Sequence, residues 1–321
     1  MSAGAPASTP VLYVGGAGRS GSTLLDRIVG QVPGAVSLGE VVHLWARGVR
    51  DDERCGCGEA FSACPFWTKV GDLAFGGWDR IDVNEVLALQ RAVDRNRYVP
   101  LLLAPRTEPR FRAALERYGS YVGRVLRAAR DASGAEIVID SSKHPSAAYL
   151  YRAVPEIDLR AVHLVRDPRG VAYSWTKQVV KPEIVGRDEL MPLFRPATMA
   201  GWWIGFNLLF DLLPVTGVPT MLVRYESLIE RPRAQTERVV RFARLRAGSD
   251  ALDFVTEGAG AAAVELASDH TVAGNPMRFA TGRIDLELDE AWRRELPEAD
   301  ARMVSLLTLP LLRRYGYRRD P

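Results

Sequence analysis

This chain reads as a three-layer α/β fold with a mostly parallel central sheet, and three observations predict it. The first is Val11-Leu-Tyr-Val, an apolar strand that runs into the glycine-rich turn Gly15-Gly-Ala-Gly-Arg-Ser-Gly21 and then into an apolar helix opening at Ser22-Thr-Leu-Leu. The second is Leu159-Arg-Ala-Val-His-Leu-Val165, which repeats strand, turn and helix start through Arg166-Asp-Pro-Arg-Gly170. The third is the alternation of strand-like and helical apolar segments along the rest of the chain, the pattern of adjacent parallel strands joined by crossover helices.

Taken in order, Met1 to Pro10 is small and Ala/Ser/Pro-rich, without the charged and apolar regions of a signal peptide. It reads as a flexible leader, residues 1–10, before one domain spanning residues 11–321. Helical spacing covers Val83 to Arg97 and Arg110 to Ala132, where Phe111, Leu115, Tyr118, Val122, Val125 and Ala129 share one stripe. Three prolines between Pro100 and Pro109 bend the chain between these helices. Glu136-Ile-Val-Ile-Asp140 is a continuous apolar strand that opens into Ser141-Ser-Lys143. In the second unit Asp167 fits an N-cap with Pro168 in the first turn, so Ser174 falls roughly two turns down that helix. A helix carrying Trp202 and Trp203, a strand at Thr220 to Val223 and a polar loop from Ser268 to Arg278 follow.

Composition excludes several classes. Lysine and arginine exceed aspartate and glutamate by only three, 42 against 39, too small an excess for a general nucleic-acid surface. The longest apolar stretch, Gly201 to Val215, is broken by Asn207, Asp211 and Pro214 and falls short of the ~20 residues a bilayer span needs. The expectation is a cytoplasmic enzyme with no nucleic-acid partner and no transmembrane segment. Oligomeric state is left open.

The chemistry begins in the first turn. Gly15, Gly16, Gly18 and Gly21 permit backbone conformations that aim successive N–H groups inward, and the following helix adds its positive end. Gly16 to Thr23 fits the nucleotide-triphosphate loop pattern except that Ser22 stands where the lysine belongs. That argues against ATP held in the usual way, while Arg19 offers a planar cation suited to paired phosphate or sulfonate oxygens. A purely structural tight turn is the alternative. Arg166, at the end of its strand, and Ser174 are placed to face a second anion outside the carboxyl edge of the sheet. The competing reading there is a local Arg166–Asp167 salt bridge.

Together the two segments resemble the sulfotransferases that use 3′-phosphoadenosine 5′-phosphosulfate, with Arg-Asp-Pro-Arg closer to the carbohydrate and tyrosylprotein branch and its bacterial relatives. The resemblance implies a P-loop-like phosphosulfate site at Gly18, Arg19, Ser20, Gly21, Ser22 and Thr23, and a 3′-phosphate site at Arg166 and Ser174. It implies sulfonate transfer to a hydroxyl of a small-molecule, sugar or lipid acceptor. Glu40, 21 residues after Arg19, would be the base that takes the acceptor proton, or else a helix-initiating glutamate stabilised by the dipole. Lys143 and Arg19 would offset the charge on the transferring group, which makes Glu40, Lys143 and Arg19 the catalytic set. Gly274, Asn275 and Arg278 resemble a Gly-Asn-x-x-Arg lid over the 3′-phosphate. Trp45, Trp202, Trp203 and Phe206 are candidates to line the acceptor site, His43 and His144 lie near Glu40 and Lys143 in sequence, and Lys181 to Pro196 reads as an acceptor gate.

Two rivals share these features. A nucleotide kinase would use Ile137 to Asp140 as a strand ending in a magnesium-binding aspartate. A non-catalytic nucleotide-binding module would keep both anion loops without needing Glu40 or Lys143. Cys55, Cys57 and Cys64 fall within ten positions and are the chain's three cysteines. They read first as structural packing or a local disulfide, with Cys57–Cys64 within reach, and zinc comes a distant second, because a tetrahedral zinc site wants four ligands and the segment offers three. The flanking Phe61, Phe66 and Trp67 read as a wedge near the substrate mouth. His270 reads as a surface or capping group, and no metal is expected.

Overall fold

The computed structural model describes residues 8–104, 106, 108–178, 192–248, 250–258 and 261–318. Strands β1 (Thr9–Gly15), β2 (Ala35–Ser37), β3 (Ile137–Lys143), β4 (Ile157–Val165) and β5 (Thr220–Arg224) form one sheet in the order β2-β3-β1-β4-β5. Every neighbouring pair is parallel. The predicted mostly parallel sheet is therefore present, with β1 at its centre.

Alternation along each strand divides the interior into two layers. Val11 and Tyr13 of β1, with Val138, Leu159 and Ala161 of its neighbours, pack into the cluster under the helices Pro109–Ser133 and Pro145–Arg152. Leu12 and Val14, with Ile139, Val162 and Leu164, pack into the opposite cluster with Leu25, Ile28, Val239 and Val240 of the helices Ser22–Gly30 and Pro232–Phe242. A strand covered on both faces needs apolar residues at every position, which is why Val11 to Val14 reads as an unbroken run.

The helix Pro109–Ser133 buries all six residues of its predicted stripe. Its start is fixed by Glu108, whose side chain accepts from Arg110 and Phe111 N–H groups, and its end by Gly134 at φ 71°. Elsewhere the boundaries move. The helix predicted over Val83 to Arg97 stops at Val93, and the link Pro100 to Pro109 opens with a short helix, Val99–Leu103, because Pro100 in a first turn has no N–H to lose. Thr9 and Pro10 pair with Ile157 and Asp158, so two of the ten leader residues belong to the sheet. Residues 1–7 of that leader, and 181–191 of the loop read as an acceptor gate, lie outside the described residues.

A second, antiparallel sheet was not foreseen: β6 (Val255–Gly258), β7 (Ala261–Leu266) and β8 (Gly282–Leu286), in the order β6-β7-β8. The alanine run and two glycines in these strands carry little strand propensity, and packing against the larger core supplies the order.

What ties this sheet and its flanking loops to the first is Arg27. Buried on the helix that follows β1, it donates to Asp269 Oδ2 at 2.8 Å and to the carbonyls of Met277, Ala280 and Ala267 at 2.9, 2.5 and 2.6 Å. Replacing Arg27 with Met leaves Asp269 and three carbonyls without their donor, so Arg27→Met is expected to cost about 3–5 kcal/mol of stability, read as a lower urea midpoint. A loss under about 1 kcal/mol would show that water replaces the guanidinium without penalty.

Candidate functional site

The carboxyl edge of the sheet gathers the residues singled out from the sequence. Gly15 of β1 sits in register with Lys143 of β3 on one side and His163 of β4 on the other. The turn after β1, the end of β3 and the residue after β4 therefore emerge side by side. Gly16 has φ 146°, and a Cβ there would lie 2.1 Å from the Leu164 carbonyl oxygen, so only glycine lets the turn cross β4 so closely. Gly21, at φ 88°, lies against the Tyr225 ring, where a Cβ would come within 2.5 Å. The helix opens at Ser22, which puts Ser22 and Thr23 in its first turn.

Two side chains that would act as cations hold strained backbone. Arg19 and Lys143 both have φ 69°, a region that favours glycine. Strain of this kind persists where the surroundings fix the side chain for a purpose. The Arg19 guanidinium lies 5.0 Å from the Trp175 ring centroid. Burial presses it below the ordinary arginine value, with Glu40 opposing and Arg166 adding to the effect.

Lys143 Nζ and Glu40 Oε1 are in direct contact. Burial would push the Glu40 carboxyl upward, but Lys143, with His43 and His144, brings it below the ordinary carboxylate value. His43 Nε2 stands 3.5 Å from Glu40 Oε2. Burial lowers both His43 and His144, with Glu40 opposing the effect at each.

Asp140 holds this corner together. Fully buried, it accepts through Oδ1 from the Ser142 amide and hydroxyl at 2.8 and 2.5 Å and from the Val41 amide at 3.3 Å. Its Oδ2 accepts from the Tyr151 hydroxyl at 2.5 Å. Burial raises the carboxyl to about 6. Both oxygens are committed inside the protein, so the kinase reading of Asp140 as a magnesium ligand is overturned. The residue instead joins the end of β3 to the segment that starts at Glu40.

Asp167 caps the helix Pro168–Ser174 by accepting from the Arg169 amide, as its sequence predicts. Arg166 is not its partner. Asp167 pairs with Arg169 at 2.8 Å, whereas Arg166 donates to Asp289 Oδ2 and to the carbonyls of Arg19 and Asp289, each at 3.1 Å, over the Tyr225 ring. Asp289 was not foreseen, and nothing in its local sequence marks it. Burial acts to raise its carboxyl, and Arg166 and Lys177 bring it below the ordinary value.

Gly18, Arg19, Gly21, Ser22, Thr23, Glu40, Lys143, Arg166, Ser174, Gly274 and Asn275 line one cavity of about 500 Å³. Ser20 is buried behind the turn. Arg278 is not brought to the cavity: its buried guanidinium donates to the carbonyls of Thr271 and Arg54 at 2.7 and 2.6 Å and so braces the 271–275 segment from beneath. Of the four aromatic candidates, Trp202 and Phe206 face the cavity, while Trp45 and Trp203 are buried in the core. Phe61 and Trp67 are likewise core residues, and Phe66 stacks on His270, so the expected wedge does not reach the cavity. Arg47, Trp175 and Tyr225 complete the wall without having been foreseen. Tyr225 could have been found, since it directly follows β5 at the edge where ligands of parallel sheets bind.

Among the described residues four cations, Arg19, Arg47, Lys143 and Arg166, thus line a cavity whose wall includes one carboxylate, Glu40. Residues 10–248 match the sulfotransferase family. The chain belongs to that family. Among solved structures it is similar to the sulfotransferase domain from the Synechococcus PCC 7002 olefin synthase, at 19% identity and TM-score 0.53 over 99% of this chain and 98% of that one. It is also similar to a sulfotransferase domain from the curacin biosynthetic pathway, at 14% identity and TM-score 0.49 over 98% of this chain and 100% of that one. A third likeness, sulfotransferase STF9 from Mycobacterium avium, has 12% identity and TM-score 0.46 over 98% of this chain and 78% of that one. No curated protein sequence matches. As a sulfotransferase the chain moves sulfonate groups, and its described residues include no helix long and apolar enough to cross a membrane.

The Glu40–Lys143 pair makes a pH dependence. Because the folded-state carboxyl titrates below its unfolded value, the stabilisation by ionised Glu40 is present above the ordinary carboxylate range of about 4.3 and lost as pH falls through the lower folded value. The stability gap between the sulfotransferase and its Glu40→Gln variant, from urea unfolding at stepped pH, is expected to close over that acidic window. A gap that widens on acidification would reverse the assignment.

Proposed function

We propose that this sulfotransferase takes its sulfonate from 3′-phosphoadenosine 5′-phosphosulfate and delivers it to a hydroxyl of a small-molecule, sugar or lipid acceptor. One observation carries the reading: Glu40 and Lys143 touch inside a cavity that also holds Arg19, Arg166 and the first turn of the helix after the glycine loop. The wall fits such a ligand. Gly274 at φ 146° leaves open a space where a Cβ would stand 3.4 Å from Glu40 Oε1 and 3.8 Å from Thr23 Oγ1. The Trp175 indole N–H is buried at the same wall without a partner among the described residues.

When bound, the cosubstrate supplies the sulfonate, a phosphate leaving group and a second phosphate. Arg19, Ser22, Thr23 and the helix N-terminus hold the phosphosulfate end, while Arg166 and Ser174 hold the 3′-phosphate. Glu40 takes the proton of the acceptor hydroxyl. The acceptor oxygen bonds to sulfur as the bond from sulfur to the phosphate oxygen breaks, and its electron pair stays on the phosphate. Lys143 and Arg19 offset the charge that grows there. As Lys143 turns toward the phosphate, the field that keeps Glu40 weakly basic relaxes, so basicity rises when the proton must move. The acceptor end is the aromatic side, where the Phe206 and His144 rings lie 6.1 Å apart, as do those of His144 and His43. That wall leads directly to Glu40.

Calorimetry with adenosine 3′,5′-bisphosphate tests the cosubstrate. Arg166→Ala is expected to weaken binding roughly tenfold or more, about 1.4 kcal/mol. Unchanged binding, or no heat with the unaltered protein, would remove the donor assignment. Glu40→Gln is expected to keep bisphosphate affinity while slowing transfer from radiolabelled donor by about 10²–10⁴. Retained turnover would assign the base elsewhere.

A further inference from the structure

The three cysteines are not scattered packing. Cys55, Cys57 and Cys64 converge with His270, more than 200 residues on, so that one ligand atom from each lies within 4.8 Å of all the others. The Sγ atoms of Cys57 and Cys64 are 3.7 Å apart, His270 Nδ1 is 3.3 Å from Cys64 Sγ, and it is 3.9 Å from Cys55 Sγ. All three cysteines are free thiols, and Cys55 and Cys64 are buried. The Cys57–Cys64 disulfide that the sequence left open is not formed in this structure, and the fourth ligand that the local segment lacked comes from the far end of the chain.

The geometry points to a structural zinc site of the Cys₃His type. With bonds of about 2.3 Å to sulfur and about 2.0 Å to imidazole nitrogen, the edges of a tetrahedron around zinc measure about 3.8 Å between sulfurs and about 3.5 Å between sulfur and nitrogen. The Cys57–Cys64 separation of 3.7 Å and the Cys64–His270 separation of 3.3 Å lie near those edges, and the Cys55–His270 separation of 3.9 Å is somewhat longer, within what a bound ion would draw in. Three thiolates with one imidazole are a donor set that favours zinc over the hard cations, and four protein ligands leave no open position for catalysis. Each thiol that ligates gives up its proton on binding.

The surroundings serve the same end. Gly56 lies so close to the histidine segment that a Cβ would come 2.3 Å from Asp269 Oδ1 and 2.6 Å from Thr271 Oγ1, and its amide donates to the Thr271 carbonyl at 2.9 Å. Phe66 stacks on the His270 ring at 5.0 Å, and Trp67 Nε1 donates to the His270 carbonyl at 2.8 Å. These contacts orient the imidazole toward the thiols, as outer-sphere groups do around a metal. Gly274 and Asn275, on the same loop as His270, line the cavity, and the Glu40 amide donates to the Ala273 carbonyl at 3.3 Å. Zinc would thus pin from outside the loop that Glu40 holds from inside. The assignment rests on thiols and imidazole alone and is independent of the donor proposed above.

The test is metal content of the full chain, purified without chelator and measured by plasma mass spectrometry alongside thiol release by a mercurial. Expected are one zinc per chain and a drop in unfolding temperature when it is stripped. Cobalt exchanged into the unaltered protein is expected to give thiolate charge-transfer and tetrahedral d–d bands, a reading that needs no variant to fold. Cys64→Ser and His270→Ala should each lose most of the zinc. A Cys57–Cys64 disulfide in metal-free protein, three reactive thiols without zinc, another metal in its place, or zinc retained by both folded variants would overturn the assignment.

Discussion

Everything at the cavity depends on one constraint, the parallel pairing of β1 with β3 and β4 in a register that brings Gly15 level with Lys143 and His163. Parallel strands end on the same edge, so their following residues converge without any long-range instruction in the loops themselves. Slip either pairing by one residue and Val11 and Tyr13 would exchange layers with Leu12 and Val14, setting side chains of different shape into two close-packed layers. The packing of the interior therefore fixes the reacting geometry. Arg19 and Lys143 are held at φ 69° by that same framework, which explains how a strained backbone is kept at both.

The electrostatic arrangement follows from burial. A carboxylate as enclosed as Glu40 would neutralise itself without a cation, and Lys143 supplies one in contact. Asp140 has no such cation among the described residues, relies on hydrogen bonds, and is raised by burial to about 6. Two buried carboxyls a few residues apart in space are thus given different work: Glu40 meets the cavity, and Asp140 secures the backbone that carries Glu40.

The fold and most of the cavity were legible in the sequence because their signals are local. A strand that must be apolar throughout, a turn that must be glycine, and a helix start capped by Asp167 each announce themselves within ten residues. What escaped was set by contacts between distant segments. The antiparallel sheet rests on strands too poor in β-branched residues to declare themselves. Arg278 has the spacing of a ligand-binding residue but meets two carbonyls first, so its role as a brace is visible only in three dimensions. His270 looked solitary because its companions stand more than 200 positions earlier. Trp45 and Trp203 show the converse error: a large aromatic near a cavity in sequence is most cheaply buried in the core.

Asp289 gives Arg166, one of the cavity's cations, a built-in partner. Its carboxylate already satisfies part of Arg166, and being tethered on the same chain it does so at an effective concentration that dilute monovalent anions cannot match. On the donor proposed above, a doubly charged group anchored elsewhere along the cleft would bring both the extra charge and its own tether, and so would compete with the resident carboxylate where a free monovalent anion would not. That preference would follow from an ion pair already present in the protein, whatever the shape of the ligand.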